Sequence, residues 1–164
     1  MSIWSPAENT LVGQRLEDTS TTAAHKVGTI VRCDHPDYGA GEFIYLAGVA
    51  STAVGSWVTY NMDDGSTVLL AANAIGPVAV SMSANVASGY GWYQISGKAV
   101  GKALASFADN ANVYATATAG SIDDAVVAGD RVKNAKGASA VDTPSTGLAE
   151  FEISRPWMDD ALAA

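Results

Sequence analysis

The chain has 164 residues, enough for one domain that buries roughly 70% of its unfolded surface and holds a core without covalent staples. Only 16% of residues are charged, the net charge is −8 and the pI is near 4.4. That balance argues against nucleic acid as a direct ligand, because phosphate binding needs a basic surface, and against an anionic membrane. The single cysteine, Cys33, cannot form an internal disulfide. No apolar run reaches about 18 residues, and Met1–Pro6 lacks a basic and an apolar leader region, so synthesis and folding in a cytosol are expected.

Residues 1–24 carry scattered apolar side chains (Ile3, Trp4, Leu11, Val12, Leu16) among polar ones. They read as an N-terminal arm, either folded back on its own domain or reaching a neighbouring subunit to dock Trp4 or Leu11. Deleting residues 1–20 is expected to leave a folded domain that no longer binds its partner.

Residues 25–156 read as a β domain. Val27–Cys33 is the first strand, followed by a turn-rich Asp34–Gly41. Glu42–Gly48 and Gly55–Asn61 follow, the latter with Trp57, Thr59 and Asn61 on one face and Val58 and Tyr60 on the other. Asp63-Asp64-Gly65 signals a hairpin into Ser66–Ala71. Gly76–Met82 is a fifth strand whose Pro77 belongs at a strand start or an edge.

The densest aromatic stretch, Ser88–Ala99, predicts the central strand Tyr90–Ser96, with Gly97 at a bend or bulge before a seventh strand to Ala105. Alternation puts Tyr90 and Trp92 on one face and Tyr93 on the other. Ala111–Thr118, Asp130–Ala135 and Leu148–Ser154 complete about ten short strands, with Arg155-Pro156-Trp157 ending the last. Residues 83–88 and 106–110 read as loops or single helical turns, and 120–129 as a loop or short helix. Residues 157–164 read as a short acidic C-terminal tail. The fold class is all-β: a small β-barrel or β-sandwich with an extended N-terminal arm.

Reactive constellations are thin. Cys33-Asp34-His35-Pro36-Asp37 gathers metal-ligand types without a second ligand pair, and Cys33 with His25 or His35 lacks a third orienting group. Asp63, Asp64, Asp123 and Asp124 read as turns rather than paired catalytic carboxylates. Gly89-x-Gly91 and Gly97-Lys98 lack the context of phosphate loops. Tyr90, Trp92, Tyr93, Trp57, Tyr60 and Tyr45 serve a core, a subunit interface or a carbohydrate platform. No catalytic residue, cofactor or metal is expected.

The Gly89-Tyr90-Gly91-Trp92-Tyr93-Gln94-Ile95-Ser96-Gly97-Lys98-Ala99 stretch follows Gly76–Val80. Alternating small residues over 111–118 and Ala125–Val132 come after it. Together they resemble the small decoration, or cement, proteins of tailed-phage capsids, over roughly residues 27–154. The resemblance implies a non-enzymatic β domain, often a homotrimer. It would bind the major capsid protein on the outside of the virion after synthesis in the host cytoplasm. Trp4, Leu11 and Trp157 are the expected contact residues. A carbohydrate- or receptor-binding β module is the alternative.

Overall fold

A computed structural model of the chain describes residues 4–6 and 13–159. Among the described residues there are eleven strands and no helix. They are β1 (Ser5–Pro6), β2 (Ile30–His35), β3 (Gly39–Ala47), β4 (Trp57–Tyr60), β5 (Thr67–Leu69) and β6 (Ile75–Ser81). Then come β7 (Tyr90–Lys102), β8 (Asn112–Ala115), β9 (Ile122–Asp123), β10 (Arg131–Gly137) and β11 (Leu148–Asp159). They form one antiparallel sheet in the order β1-β2-β3-β7-β6-β11-β10-β8-β9, with β4 on β6 and β5 on β4. The sheet does not close into a barrel. It folds over itself, sandwich-like.

The fold turns on a three-way strand exchange. β7 pairs with β6 at Tyr93 and Gln94 and with β11 from Ser96 to Lys102. β11 then leaves β7 and pairs with β6 through Trp157–Asp159. Each of the three strands therefore bonds to the other two. The switch in β11 falls at Arg155, whose φ is +46°, and at Pro156, which has no N–H to offer a ladder. In β7 it falls between Gln94 and Ser96, where the pairing with β3 also shifts register, and Gly97, with φ +100°, follows at once. A Cβ there would lie 2.5 Å from the Ala40 carbonyl oxygen of β3, so only glycine lets the strands approach. Buried Gln94 donates its Nε2 protons to the carbonyls of Ser96 (3.1 Å) and Lys98 (3.2 Å), on either side of Gly97.

Three apolar clusters form around this junction. The largest holds Trp57, Phe107 and Phe151, with the Trp57 and Phe151 rings edge to face at 4.9 Å. Gly101 makes room for Trp57, since a Cβ there would meet its Nε1 at 2.5 Å. The second holds Leu16, Val31, Cys33, Phe43, Tyr45 and Trp92, and the third Ile44, Leu46, Val58, Ala79, Tyr93 and Ile95. β3 and β7 are thus covered on both faces. That explains the unbroken apolar run Phe43-Ile44-Tyr45-Leu46, which alternates between two cores rather than between core and water.

Several expectations are revised. Strand β2 begins at Ile30, not Val27, because Gly28 takes φ +90° in a turn closed by Thr29 N–H on the Lys26 carbonyl (3.0 Å). The two strands predicted on either side of Gly97 are one strand, since β11 pairs without interruption from Ser96 to Lys102. Residues 83–88, 106–110 and 120–129 form turns, with positive φ at Ser88, Ser106, Asn110, Gly120 and Gly129, and Ile122–Asp123 adds β9. The last strand runs on to Asp159, so Trp157–Asp159 belong to the sheet rather than to a tail.

The described part of residues 1–24 folds back on its own domain. Ser5–Pro6 extends the sheet beside β2, Leu16 is 3% exposed, and Ser20 bridges to Tyr90. The Tyr45 hydroxyl exchanges a hydrogen bond with Ser20 Oγ (3.1 Å) and accepts one from Ala24 N–H (3.0 Å). Deleting residues 1–20 would therefore uncover the second cluster, and an intact domain is no longer the expected result. Leu16→Ala should cost about 2–5 kcal/mol by urea denaturation. Gly97→Ala should lower the melting temperature markedly, since it combines a left-handed backbone with a clash against Ala40.

Candidate docking face

Along β11, Ala149, Phe151 and Ile153 point into the core and Glu150, Glu152 and Ser154 point out. Ser154 and Arg155 both point out, and this bulge reverses the phase of everything after it. Pro156 and Met158 turn inward, and Trp157 turns outward with 46% of its surface exposed. Unbroken alternation would have buried Trp157. Its neighbours follow from register. Lys133 of β10 lies opposite on one side and Pro77 of β6 on the other, with Ile75, 66% exposed, two residues along.

The same register collects cations. Arg131, Lys133 and Lys136 project outward from β10, and Lys98 and Lys102 from β7. These are five of the chain's nine basic residues. Three carboxylates share the face: Glu150, Glu152 and Asp159. Lys98 Nζ lies 2.7 Å from Glu150 Oε2, Lys133 pairs with Asp159, and Arg131 Nη2 donates to Asn112 Oδ1 at 3.1 Å. Lys98 also sits over the Tyr38 ring, 5.0 Å from its centroid. The face is therefore net positive and carries an exposed indole, on a chain whose total charge is −8. Sequence reading missed this cluster. The signal was the shared parity of Lys98 with Lys102 and of Arg131 with Lys133.

The three expected contact residues separate. Trp157 stands on this face. Trp4 is half-buried on its own domain, 4.9 Å from Phe43 and 5.1 Å from His35 between ring centroids. Leu11 lies outside the described residues.

The weighed reactive groups also separate. Cys33 is buried in the second cluster, and burial first, then Asp34, pushes its thiol up to about 11. His35 Nδ1 accepts from the N–H groups of Asp37 (3.1 Å) and Tyr38 (3.2 Å), capping its own turn. His25 packs against Tyr45 and Trp92. Among the described residues no three His, Cys, Asp or Glu side chains converge to hold a metal ion. Asp64 accepts from Ser66 N–H, which holds its carboxyl below the usual range, and Asp124 accepts from Ala108 N–H in a different loop. Trp57, Trp92, Tyr45 and Tyr93 are buried, so these four rings form cores, not an open platform.

Comparison with protein-family models, curated proteins and solved structures finds no match.

Burial raises the phenol of Tyr38 to about 12, helped by its hydrogen bond to Glu150, and burial also raises Tyr60 and Tyr93. With Cys33, these groups ionise in the unfolded chain before they ionise in the folded one. Their contribution is therefore complete below about pH 9 and is lost as pH rises toward 12. Urea midpoints should fall steadily above pH 9. In native protein at neutral pH, Cys33 should resist a thiol reagent that labels it rapidly in urea.

Proposed function

We propose that the chain is a non-enzymatic capsid decoration protein. It would bind the outside of a tailed-phage capsid and cement neighbouring major capsid subunits. The observation that carries this reading is the positive face around Trp157 on an otherwise acidic domain. An exposed indole beside a lysine, on a sheet face that carries further cations, has the composition of an interface, where aromatics and arginine are enriched. The charge contrast steers such a face toward an acidic partner surface and away from the acidic remainder of other copies. Resemblance of residues 27–154 to decoration proteins supports the same reading.

Mechanism follows from the geometry. The face lies on β7 and β11, two strands of the three-way junction, and on β10 paired to β11, so it presents a rigid surface and loses little entropy on docking. Linked copies, as in a homotrimer, raise avidity well above that of one face. A protein that binds only the assembled lattice stabilises it by mass action. Synthesis in the host cytoplasm and a final place on the virion belong to this proposal.

The rival reading, a carbohydrate- or receptor-binding module, loses the platform of Trp57, Trp92, Tyr45 and Tyr93, which are buried.

Co-sedimentation with expanded tailed-phage capsids stripped of their decoration protein tests the proposal. Trp157→Ala should weaken binding at least about tenfold. Lys133→Glu with Lys136→Glu should weaken it and flatten its salt dependence. Capsid binding that survives all three substitutions would remove this face from the function, and no capsid binding by the wild-type chain would remove the function itself.

A further inference from the structure

The backbone at Arg155 is not one that an arginine adopts for its own sake. A φ of +46° crowds Cβ against the carbonyl, and Pro156 further restricts the residue before it. Across the same irregularity in the β10–β11 ladder stands Asn134, with φ +59°, a residue type enriched in that region. Glycine fills the left-handed position in β7, at Gly97, and would be the less strained residue at 155 as well. A long cation held in a left-handed position points to a use for its side chain.

Register shows that use. Ser154 of β11, Ser96 of β7 and Glu42 of β3 lie side by side. From the next position the Arg155 guanidinium spans β7, and its Nη2 donates to Glu42 Oε2 at 3.0 Å. The chain beyond has a short ladder. β11 pairs with β6 at Trp157, Met158 and Asp159 only, and Trp157 faces Pro77, which has no N–H to donate. Met158 is fully buried, whereas Trp157 and Asp159 stay outside the core. Lys133 of β10 pairs with Asp159 at the far end. Trp157 therefore stands between an ion pair to β3 at 155 and one to β10 at 159.

We propose that Arg155 and Glu42 are positioning residues for the docking face: their ion pair holds the left-handed turn that directs Trp157 outward. The inference rests on the docking reading for its consequence alone, because the hold on Trp157 is measurable without a partner. The Arg155 and Glu42 side chains are 58% and 34% exposed, so the pair adds little to global stability and acts as a local bias on the end of β11. Salt screens it.

Amide exchange followed by NMR on the full chain tests it. In Glu42→Gln the amides of Trp157, Met158 and Asp159 should exchange about two- to fivefold faster at an unchanged urea midpoint. The charge-swapped chain, Glu42→Arg with Arg155→Glu, should return them to the wild-type rate, which a mere loss of packing at position 42 would not allow. Equal rates in wild type and Glu42→Gln, or faster exchange that the swap does not reverse, would overturn the proposal. Should the swapped chain fold poorly, Glu42→Gln with Arg155→Gly decides, since glycine keeps the turn without the pair and should restore slow exchange. Co-sedimentation with stripped capsids reads the consequence, and Glu42→Gln should bind about two- to fivefold more weakly than wild type. Equal binding by the two would remove the pair from docking. No binding by wild type would remove the docking reading and leave the exchange rates to decide the positioning.

Discussion

Everything in this molecule depends on the exchange of partners among β6, β7 and β11. A strand can bond two neighbours along its length, and here three strands share one set of edges by giving way to one another. The device works because each point of transfer carries a residue suited to a broken ladder. Gly97 tolerates a left-handed backbone and a carbonyl at close range. Pro156 has no N–H to leave unpaired. Gln94, buried at the centre, donates to the carbonyls of Ser96 and Lys98 with one amide. The junction lets a single sheet fold over itself and hold separate cores without a helix among the described residues.

The aromatics are consumed by this arrangement. β3 and β7 lie between two apolar clusters, so Phe43 and Tyr45 face one core while Ile44 and Leu46 face the other. Tyr45 and Trp92 meet at 5.0 Å, and His25 packs on both. Leu16 covers this cluster from the N-terminal side, which makes that segment part of the fold rather than an appendage. Its polar neighbours tie to Tyr45 and Tyr90. Rings committed in this way supply stability and shape, and recognition is left to the few apolar side chains that remain outside.

Trp157 is the largest of those, and it is outside because of a backbone event. The left-handed turn at Arg155 inserts one residue, reverses the alternation and exchanges the fates of Trp157 and Met158. The same residue reaches across to β3, where Arg155 Nη2 lies 3.0 Å from Glu42 Oε2. Charge segregation is likewise a product of register. Lysines and arginines distant in sequence share one face because β10, β11 and β7 pair side by side. Many acidic residues lie in turns such as Asp63-Asp64, where short side-chain oxygens serve backbone N–H groups.

Strand identities were legible in the sequence because they rest on local pattern. Alternation correctly separated Tyr90 and Trp92 from Tyr93, and Trp57 from Val58, since side-chain direction in a strand has period two whatever the partners are. Gly97 was readable as a bend for the same local reason. The merging of two predicted strands into β7, the choice of loop over helical turn at 83–88 and 106–110, and the burial of Leu16 were not readable. Each is decided by a partner distant in the chain: β11, the positive-φ closures that dock loops onto neighbours, and Tyr45. The sequence could not say which way Trp157 points. Amino-acid order by itself determined that this chain is a helix-poor, acidic domain of short strands. Only tertiary pairing decided which side chains share a surface, because a face in a sheet is assembled by hydrogen bonds between strands far apart in the chain.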